Sequence, residues 1–485
     1  MSGYEGLQPY YGDIHNHCAV GYGHGSIEEA FQNARLQLDF ASVTVHAHWP
    51  DIPAHEARLH DIVEYHVRGF QRTRELWQHV QQVVEANNVP GEFVTFPGFE
   101  WHSCEYGDHN VYFKRAGGEV IRVASLEEMR ERLREYARQG IECFLIPHHI
   151  GYKQGYRGIN WNAFTPEFSP VVEIVSMHGG SEGPDTPRPY LHTMGPLDWR
   201  SSYQYGLEQG HVAGVIGSTD HHSAHPGSYG HGRLAVWARE LTRDGIWEAI
   251  AARRTVAMTG DRIALAFSLN GAPLGSVLPA SPERHLEVAV EGGAALDTVE
   301  VLRNNRVIHR WDGVPAPQAE PSEPVRVCLE VGWGEKDVNV DWQVEIEVQG
   351  GRLLGVEPRF RGHEIVAPAA SSEEEYAFSA WKRTAENAIS FETRTWGNPT
   401  TSTSSTQGMC LDIQGTENTA IAATVNGRRF RVALGELRCG PRAEYLGGFL
   451  TPALVFHRAV PRAERTCHFT VGDRLDGNTR DWYTV

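Results

Sequence analysis

Paired cysteine is the first thing this sequence lacks. Its seven cysteines (Cys18, Cys104, Cys143, Cys328, Cys410, Cys439 and Cys467) are scattered, odd in number and never spaced as CxxC. That argues against both a disulfide framework and a thiolate zinc site, and a reduced, cytoplasmic setting is the expectation. Long hydrophobic runs are missing too: no segment approaches the roughly 18 uncharged apolar residues a membrane span requires. The N-terminal MSGYEGLQPYYGD has no basic region ahead of an apolar stretch, so neither a membrane anchor nor a classical export signal is expected. Positive charge is also short. With 61 acidic against 44 basic residues and a formal net charge of −17, the chain would repel a polyanion at long range. Nucleic acid and membrane surfaces are therefore not expected partners. A small-molecule substrate is, and the composition leaves the oligomeric state open.

What is present is an ordinary core and an uneven supply of histidine. At 485 residues with 41% hydrophobic content, the chain is long enough for two or three domains. Of its 25 histidines only His285, His309, His363, His457 and His468 lie beyond residue 232. Whatever uses imidazole is in the first half.

That half alternates short β-branched runs with helical patterns, the signature of βα units around a parallel sheet or barrel. Strands are predicted at 40–48, 92–100, 143–149, 171–179 and 212–222, several running straight into His, Glu or Asp. Ser26 with Glu29 and Ser125 with Glu128 form capping boxes that predict helix starts. Residues 55–88 read as one long helix or two, with His55, His60, His66 and His79 on a solvated surface. After about residue 262 the pattern becomes short alternating strands typical of an antiparallel sandwich. The expected division is 1–262, an α/β barrel, and 263–485, a β-rich sandwich-like region. Linker loops are expected near 314–324, 367–375 and 397–408.

The polar residues at the strand ends belong together, because loops at the C-terminal ends of parallel strands converge. His15 and His17 in GDIHNHC lie at i and i+2 of an extended segment, so both imidazoles can face one centre. His24 follows between two glycines, and His46 ends an apolar strand, where an unmet imidazole would be costly. Glu100 ends the next strand in FPGFEWH, and a carboxylate there can bridge two cations. His109 in DHNVYF, His148 in LIPHH, and Asp220 and His222 in GSTDHH complete a set of metal-type ligands at successive strand ends.

These motifs, in this order over residues 10 to about 270, resemble the PHP superfamily, named for polymerase and histidinol phosphatase domains. The nearest likeness is to its branch of carbaryl-hydrolase type. The resemblance implies a distorted (β/α)7 barrel with a di- or trinuclear centre of divalent Mn, Zn or Fe. It would place one metal on His15, His17, Glu100 and Asp220, a second on Glu100, His109 and His148, and a third on His24, His46 and His222. Many members read Thr-Asp-His where this chain has Thr44, Val45 and His46, so the carboxylate that would orient His46 is absent.

Nitrogen and oxygen ligands without thiolate suit zinc, manganese or iron, and two close cations would acidify a water and polarise a phosphoryl or carbonyl oxygen. Hydrolysis is the expected reaction, with Glu100 and Asp220 central to it. A phosphoester is the first substrate class; an ester, amide or carbamate is the second, and a non-catalytic metal-stabilised binding protein is the alternative from another class. Lys153 and Arg157, just after His148, could hold a phosphate or carboxylate, or be solvated loop charges. His149, His178, His221 and Arg233 are candidates for leaving-group protonation or oxyanion contact, His178 first among them, with a supporting role for it equally open. Trp49, Trp101, Trp161 and Trp199 fall in or beside these loops and read first as core or rim packing. Several of them facing the mouth would favour an aromatic or glycan substrate.

Overall fold

The computed structural model describes residues 1–313, 323–363, 375–397, 404–478 and 480–485. The chain begins with β1 (Gln8–Asp13), whose burial deepens from an exposed Gln8 to a buried Gly12 and Asp13. A Cβ at Gly12 would lie 2.4 Å from the Phe40 ring, so glycine is what lets β1 lie directly on its neighbour. Helix α1 (Ile27–Arg35) starts at the Ser26/Glu29 capping box and buries Ile27, Ala30, Phe31 and Ala34, one face at helical spacing.

The strand expected over 40–48 is two, β2 (Phe40–Ala41) and β3 (Thr44–His48), which belong to different sheets. Between them the Ser42 N–H donates to the Asp13 carbonyl, the last bond of the parallel β1–β2 ladder. The 55–88 pattern is a short 3-10 turn followed by one helix, α2 (His60–Asn87), anchored by Phe70, Trp77, Val80 and Val84. The strand expected over 92–100 is also divided, into β4 (Val94–Thr95) and β5 (Gly98–Trp101). Pro97, which has no N–H for a ladder, separates them. Next come β6 (His109–Phe113), α3 (Leu126–Arg138), capped by Ser125, and β7 (Cys143–Pro147). They are followed by β8 (Val171–Ser176), β9 (Gly179–Gly180), α4 (Tyr203–Glu208) and β10 (Gly214–Gly217). β11 (Arg233–Ala238), α5 (Arg243–Ala251) and β12 (Thr255–Met258) close this half.

These strands form three sheets, in the orders β12-β11-β1-β2-β4, β3-β5-β6-β7 and β10-β8-β9. The half is therefore mixed α/β, with many strands and few helices, and the closed (β/α)7 barrel expected from the resemblance is not shown by these pairings. The physical reason is local. β5 reaches β6, and β6 pairs with β7, in antiparallel register; the connection 102–108 contains no helix and so cannot make the crossover a parallel pair needs.

From residue 264 onward the regular elements of the described chain are strands, apart from the short helices Leu434–Cys439 and Arg462–Arg465. Ala264–Leu269, Glu283–Glu291 and Thr466–Arg474 pair in one antiparallel sheet, and with the Thr298–Arg303/Arg306–Asp312 hairpin they surround a core containing Phe267, Leu286, Val288 and Val301. A second two-sheet unit lies between those strands in sequence. Its core includes Val327, Leu329, Trp342, Val344, Ile346, Phe391 and Leu411. Strand Asn339–Gln349 shows why it forms: Trp342, Val344, Ile346 and Val348 are buried at every second position while their neighbours are exposed. The loops expected at 314–324 and 367–375 fall almost wholly outside the described residues, as do 398–403 of the third. The end of that third loop is not a loop: Gln407 and Gly408 begin strand Gln407–Gln414, paired with Val325–Trp333.

The two halves touch. The Trp381 Nε1–H donates to the Leu36 carbonyl at 3.0 Å, and Tyr376 joins the first-half core. All seven cysteines are free. Among the described residues no helix is long and apolar enough to cross a membrane.

Candidate metal centre

The end of β1 is tied down before the histidines begin. Asp13, fully buried, accepts hydrogen bonds from the backbone N–H groups of His15, Thr219 and Gly227 at 3.1, 3.1 and 2.8 Å. One carboxylate therefore holds the loops around 15 and 219–227 against each other. Backbone bonds His17 N to His221 O, Asp220 N to His15 O and His24 N to His222 O, at 2.7–2.8 Å, extend the same seam. Asp220 itself sits at φ 54°, a left-handed conformation sparsely used by non-glycine residues and concentrated at functional sites.

Within this frame His15 and His17, two apart on an extended segment, point the same way, with their Nε2 atoms 3.2 Å apart. Asp220 Oδ1 lies 2.9 Å from His17 Nε2 and 3.3 Å from His15 Nε2. The other ring nitrogens are fixed from behind: His15 Nδ1 is 2.8 Å from Glu173 Oε2, and His17 Nδ1 is 2.6 Å from the Thr44 carbonyl. An imidazole whose far nitrogen meets an acceptor and whose near nitrogen faces a shared point is held as metal-ligating histidines are held.

Glu100 stands at the middle. Its Oε1 faces His102 Nδ1 at 2.9 Å and His148 Nε2 at 3.3 Å. Its Oε2 faces His17, His46 and His15 Nε2 at 3.2, 3.6 and 3.8 Å. The two oxygens of one carboxylate thus address two different sets of imidazoles. Ligand atoms lying within 4.8 Å of one another include the groups His15/His17/Asp220, His17/His46/His222 and Glu100/Asp108/His148/His149.

A shell of polar contacts surrounds this centre. Asp108 accepts from Arg157 Nε at 2.7 Å and lies 3.1 Å from His102 Nδ1 and 3.3 Å from His149 Nε2. The Arg157 guanidinium also lies 4.8 Å over the Trp49 ring. His178 Nε2 lies 3.0 Å from Asp220 Oδ2, and its Nδ1 is 2.6 Å from the Tyr152 hydroxyl. Tyr22 stacks on His46 with centroids 3.4 Å apart, while Trp49 and Phe70 lie 5.5 and 5.6 Å from His102.

His15, His17, His46, Glu100, His148, His149, Asp220 and His222 are thus brought together. Others among the expected residues are placed elsewhere. His109 is buried, but it pairs across the ladder with Trp101, whereas Glu100 pairs with Asn110. Directly opposed residues share a face and successive ones alternate, so His109 and Trp101 lie on the side away from Glu100. His109 Nδ1 meets the Gly107 carbonyl at 2.9 Å, and the Trp101 indole donates to the Val123 carbonyl at 3.1 Å. His24 stays beside the centre's loop, its backbone N–H on the His222 carbonyl at 2.8 Å and its buried ring 6.4 Å from Tyr376. Arg233 is fully buried and spans the Gly227 carbonyl at 3.0 Å and Gln37 Oε1 at 2.9 Å. It is a brace for the 227 loop and contacts no ligand. His221 turns to the opposite side from its neighbours, towards His231 and His225 with centroids at 5.5 and 6.1 Å. Lys153 is exposed beside Tyr156, Trp161 packs on Phe164, and Trp199 is on the surface. His60 and His79 on α2, and His55 ahead of it, are solvated as expected. His66 instead turns inward to Tyr22 and Trp49 at 4.4 and 5.4 Å.

Glu173, Asp108, His102, Asp13 and Tyr152 were not anticipated as site residues. Glu173 carried a signal, a lone carboxylate inside the apolar run VVEIV. The others are set by loop conformation.

The donor set fits divalent ions. Glu100 Oε2 and His148 Nε2, both facing the centre, are buried without hydrogen-bond partners, a cost proteins seldom carry unexplained. Burial pushes His46 and His148 well below the ordinary imidazole range, with His17 and His15 adding to it, so both are neutral and offer lone pairs. Burial works to raise Glu100, but His102 and His148 outweigh it and hold the carboxyl well below its usual range. Asp220 is held down in the same way by His15 and His178.

Residues 28–157 match the family model described as "Protein of unknown function (DUF3604)". An uncharacterized protein of Chlamydia pneumoniae is 28% identical over 264 residues, 49% of this chain and 41% of that protein. One of Chlamydia trachomatis is 30% identical over 202 residues, 35% of this chain and 32% of that one. The chain therefore spans less than half the length of these curated relatives. Among solved structures, a two-domain protein from Bacteroides vulgatus containing a predicted PHP-like metal-dependent phosphoesterase aligns over 89% of this chain and 96% of its own. Its identity to this chain is 13% and its TM-score 0.33.

Proposed function

We propose that the protein is a metal-dependent hydrolase, with a phosphoester as its first substrate class. The observation that carries this reading is Glu100, whose two oxygens face separate sets of imidazoles, the arrangement a carboxylate needs to bridge two cations. His15, His17 and Asp220 would hold one ion with Glu100 Oε2, and His148 a second with Oε1, where Asp108 and His149 stand beside it. His46 and His222 offer a third position with His17. Two to three divalent ions of the manganese, zinc or iron type match these nitrogen and oxygen donors. Bound there, they would lower the pKa of a water towards about 7 and neutralise charge developing on the substrate's oxygens.

The chain's own residues do the rest. His178 holds its proton at Nε2 against Asp220 Oδ2 and accepts the Tyr152 hydroxyl at Nδ1. It would thereby orient Asp220 so that Oδ1 faces His15 and His17, the supporting role that stood open for it beside that of leaving-group acid. Arg157, 3.9 Å from Glu100 Oε1, keeps a positive charge beside the centre, partly neutralised by Asp108.

A second reading, hydrolysis of an ester, amide or carbamate, is favoured by the aromatic flank of Tyr22, Trp49 and Phe70 around His46 and His102, which suits an aryl group better than a small phosphate. A panel of chromogenic phosphomonoesters, phosphodiesters, aryl esters and carbamates, with manganese, zinc or iron added to chelator-treated protein, separates the two. Metal-restored turnover of phosphoesters supports the first reading, and metal-restored turnover of aryl esters or carbamates alone supports the second. Protein that binds no metal by elemental analysis, or is fully active without it, sinks both.

A further inference from the structure

We propose that Cys328 and Cys410 form a peroxide-reactive dithiol that closes to a reversible disulfide, at a cavity distinct from the metal centre. The inference is independent of the hydrolase reading.

The two cysteines face each other directly across antiparallel strands, Cys328 in Val325–Trp333 and Cys410 in Gln407–Gln414. Opposed residues share a face, so both thiols project from the same side of the sheet. The Cys328 carbonyl accepts the His457 N–H at 2.8 Å, on the side of strand Pro452–Phe456. In an extended strand a residue's N–H and C=O point the same way, so both backbone groups of Cys328 turn away from Cys410. The two form a non-hydrogen-bonded pair, whose Cα atoms lie about 4.5 Å apart. That lies within the separation of about 4.4–6.8 Å over which a disulfide closes without moving the backbone. The position ahead on the partner strand is Gly408, where even a Cβ would come only within 3.6 Å of Cys328 Sγ, so the thiol is not crowded.

Their surroundings suit a reactive thiol. Both line a cavity of about 510 Å³ with Arg326, Arg359, Arg361 and His457, which gives an oxidant access. On the same face Arg326 pairs with the directly opposed Asp412 and with Glu357 at 2.7 Å each, His457 with Glu330 at 2.8 Å and Arg359 with Asp261 at 3.0 Å, so the dithiol sits among paired charges of both signs, with Glu357 directly opposite Cys410 on its other side. The hydrogen bond from Cys410, with Arg359 and His457 nearby, lowers Cys328, whereas burial raises Cys410. One thiol is therefore the nucleophile and the other the resolving partner.

The chemistry balances with hydrogen peroxide as the named oxidant. The Cys328 thiolate attacks one peroxide oxygen, breaking the O–O bond. It becomes a sulfenic acid, and hydroxide leaves and is protonated. Cys410 sulfur then attacks the sulfenic sulfur, forming S–S and expelling water as its own proton is lost. Two thiols are oxidised by two electrons and one peroxide is reduced to two waters. The cavity also borders the metal centre's loop: Arg361 donates to the Tyr229 carbonyl at 2.8 Å, and the Tyr229 N–H donates to the Phe360 carbonyl at 2.9 Å.

The test uses the full chain, reduced with dithiothreitol, freed of it, and treated with hydrogen peroxide. Mass mapping of non-reduced digests should find one Cys328–Cys410 cross-link, reversed by reductant, with Cys328 consumed about tenfold faster than the exposed Cys439. In Cys410→Ser, a sulfenic acid on Cys328 should accumulate and be trapped by dimedone. Both thiols remaining alkylatable in the wild type, or cross-links spread evenly over the seven cysteines, would overturn the proposal. That measurement decides the matter even where a serine variant does not fold.

Discussion

Both halves of the molecule bury charge, and they do so in opposite ways. In the β-rich half the buried cations meet carboxylates: Arg284 and Arg303 converge on Asp481 at 2.6 and 2.9 Å, and Arg326 lies between Asp412 and Glu357 at 2.7 Å each. In the first half imidazoles outnumber the carboxylates around Glu100, and the centre-facing Glu100 Oε2 and His148 Nε2 have no hydrogen-bond partner. Matched charge is what a fold needs to tolerate burial. Unmatched lone pairs converging on one point are what a ligand needs. The difference separates a structural network from a site more sharply than burial alone.

The comparison can be broken by perturbing each half. The largest effect is expected for Glu100→Gln, which removes the one group both imidazole sets share. Turnover should fall by more than about 100-fold, with bound metal reduced in elemental analysis and the thermal unfolding temperature little changed; full activity would remove Glu100 from the centre. In the other half, Trp342→Ala deletes a buried indole bonded to Thr395 Oγ1 at 2.8 Å. It should cost about 3–5 kcal/mol in denaturant unfolding while bound metal stays constant in protein that remains folded. A loss of metal with folding intact would show that the halves are not separable in this way.

Finer changes sharpen the contrast. Glu173→Gln keeps the shape but removes the charge behind His15, and should weaken metal affinity about 10–100-fold in a chelator competition. An unchanged affinity would leave Glu173 with no orienting role. The smallest effect lies at His457, held above its ordinary value chiefly by its hydrogen bond to Glu330 at 2.8 Å. Because its folded pKa is raised, the stability it adds is fully present below about pH 6.5 and is lost as pH rises through the folded value. Both side chains are partly exposed, so the gain over His457→Gln at low pH should be under about 1 kcal/mol. A gap that does not shrink with rising pH would deny the pairing.

Much of the site was legible because its signals are local. The i, i+2 spacing of His15 and His17, Glu100 and His148 at the ends of apolar runs, and Asp220 with His222 need only strand periodicity to be placed. The capping box at Ser26 and the cap at Ser125 marked helix starts for the same reason, although Glu128 accepts from the Ala124 N–H and so does not close the box expected at Ser125. Asp108, His102 and Arg157 were harder, since they meet through the turns of 102–108 and 153–158 and no repeat in the sequence marks those turns. Arg157 even sits at φ 71°, a conformation no pattern announces. Glu173 was visible as a carboxylate in an apolar strand, but its partner was not.

The sequence by itself determined that imidazole and carboxylate would gather in the first half and that alternating strands would follow, because side-chain direction along an extended segment depends only on the parity of position. Which of two adjacent residues faces the centre, and what lies behind it, was decided by tertiary structure. Glu100 and His109 are both buried at strand ends. Only the antiparallel register, pairing Glu100 with Asn110 and Trp101 with His109, turns one towards the centre and the other away, and register is set by contacts between segments that the chain brings together only on folding.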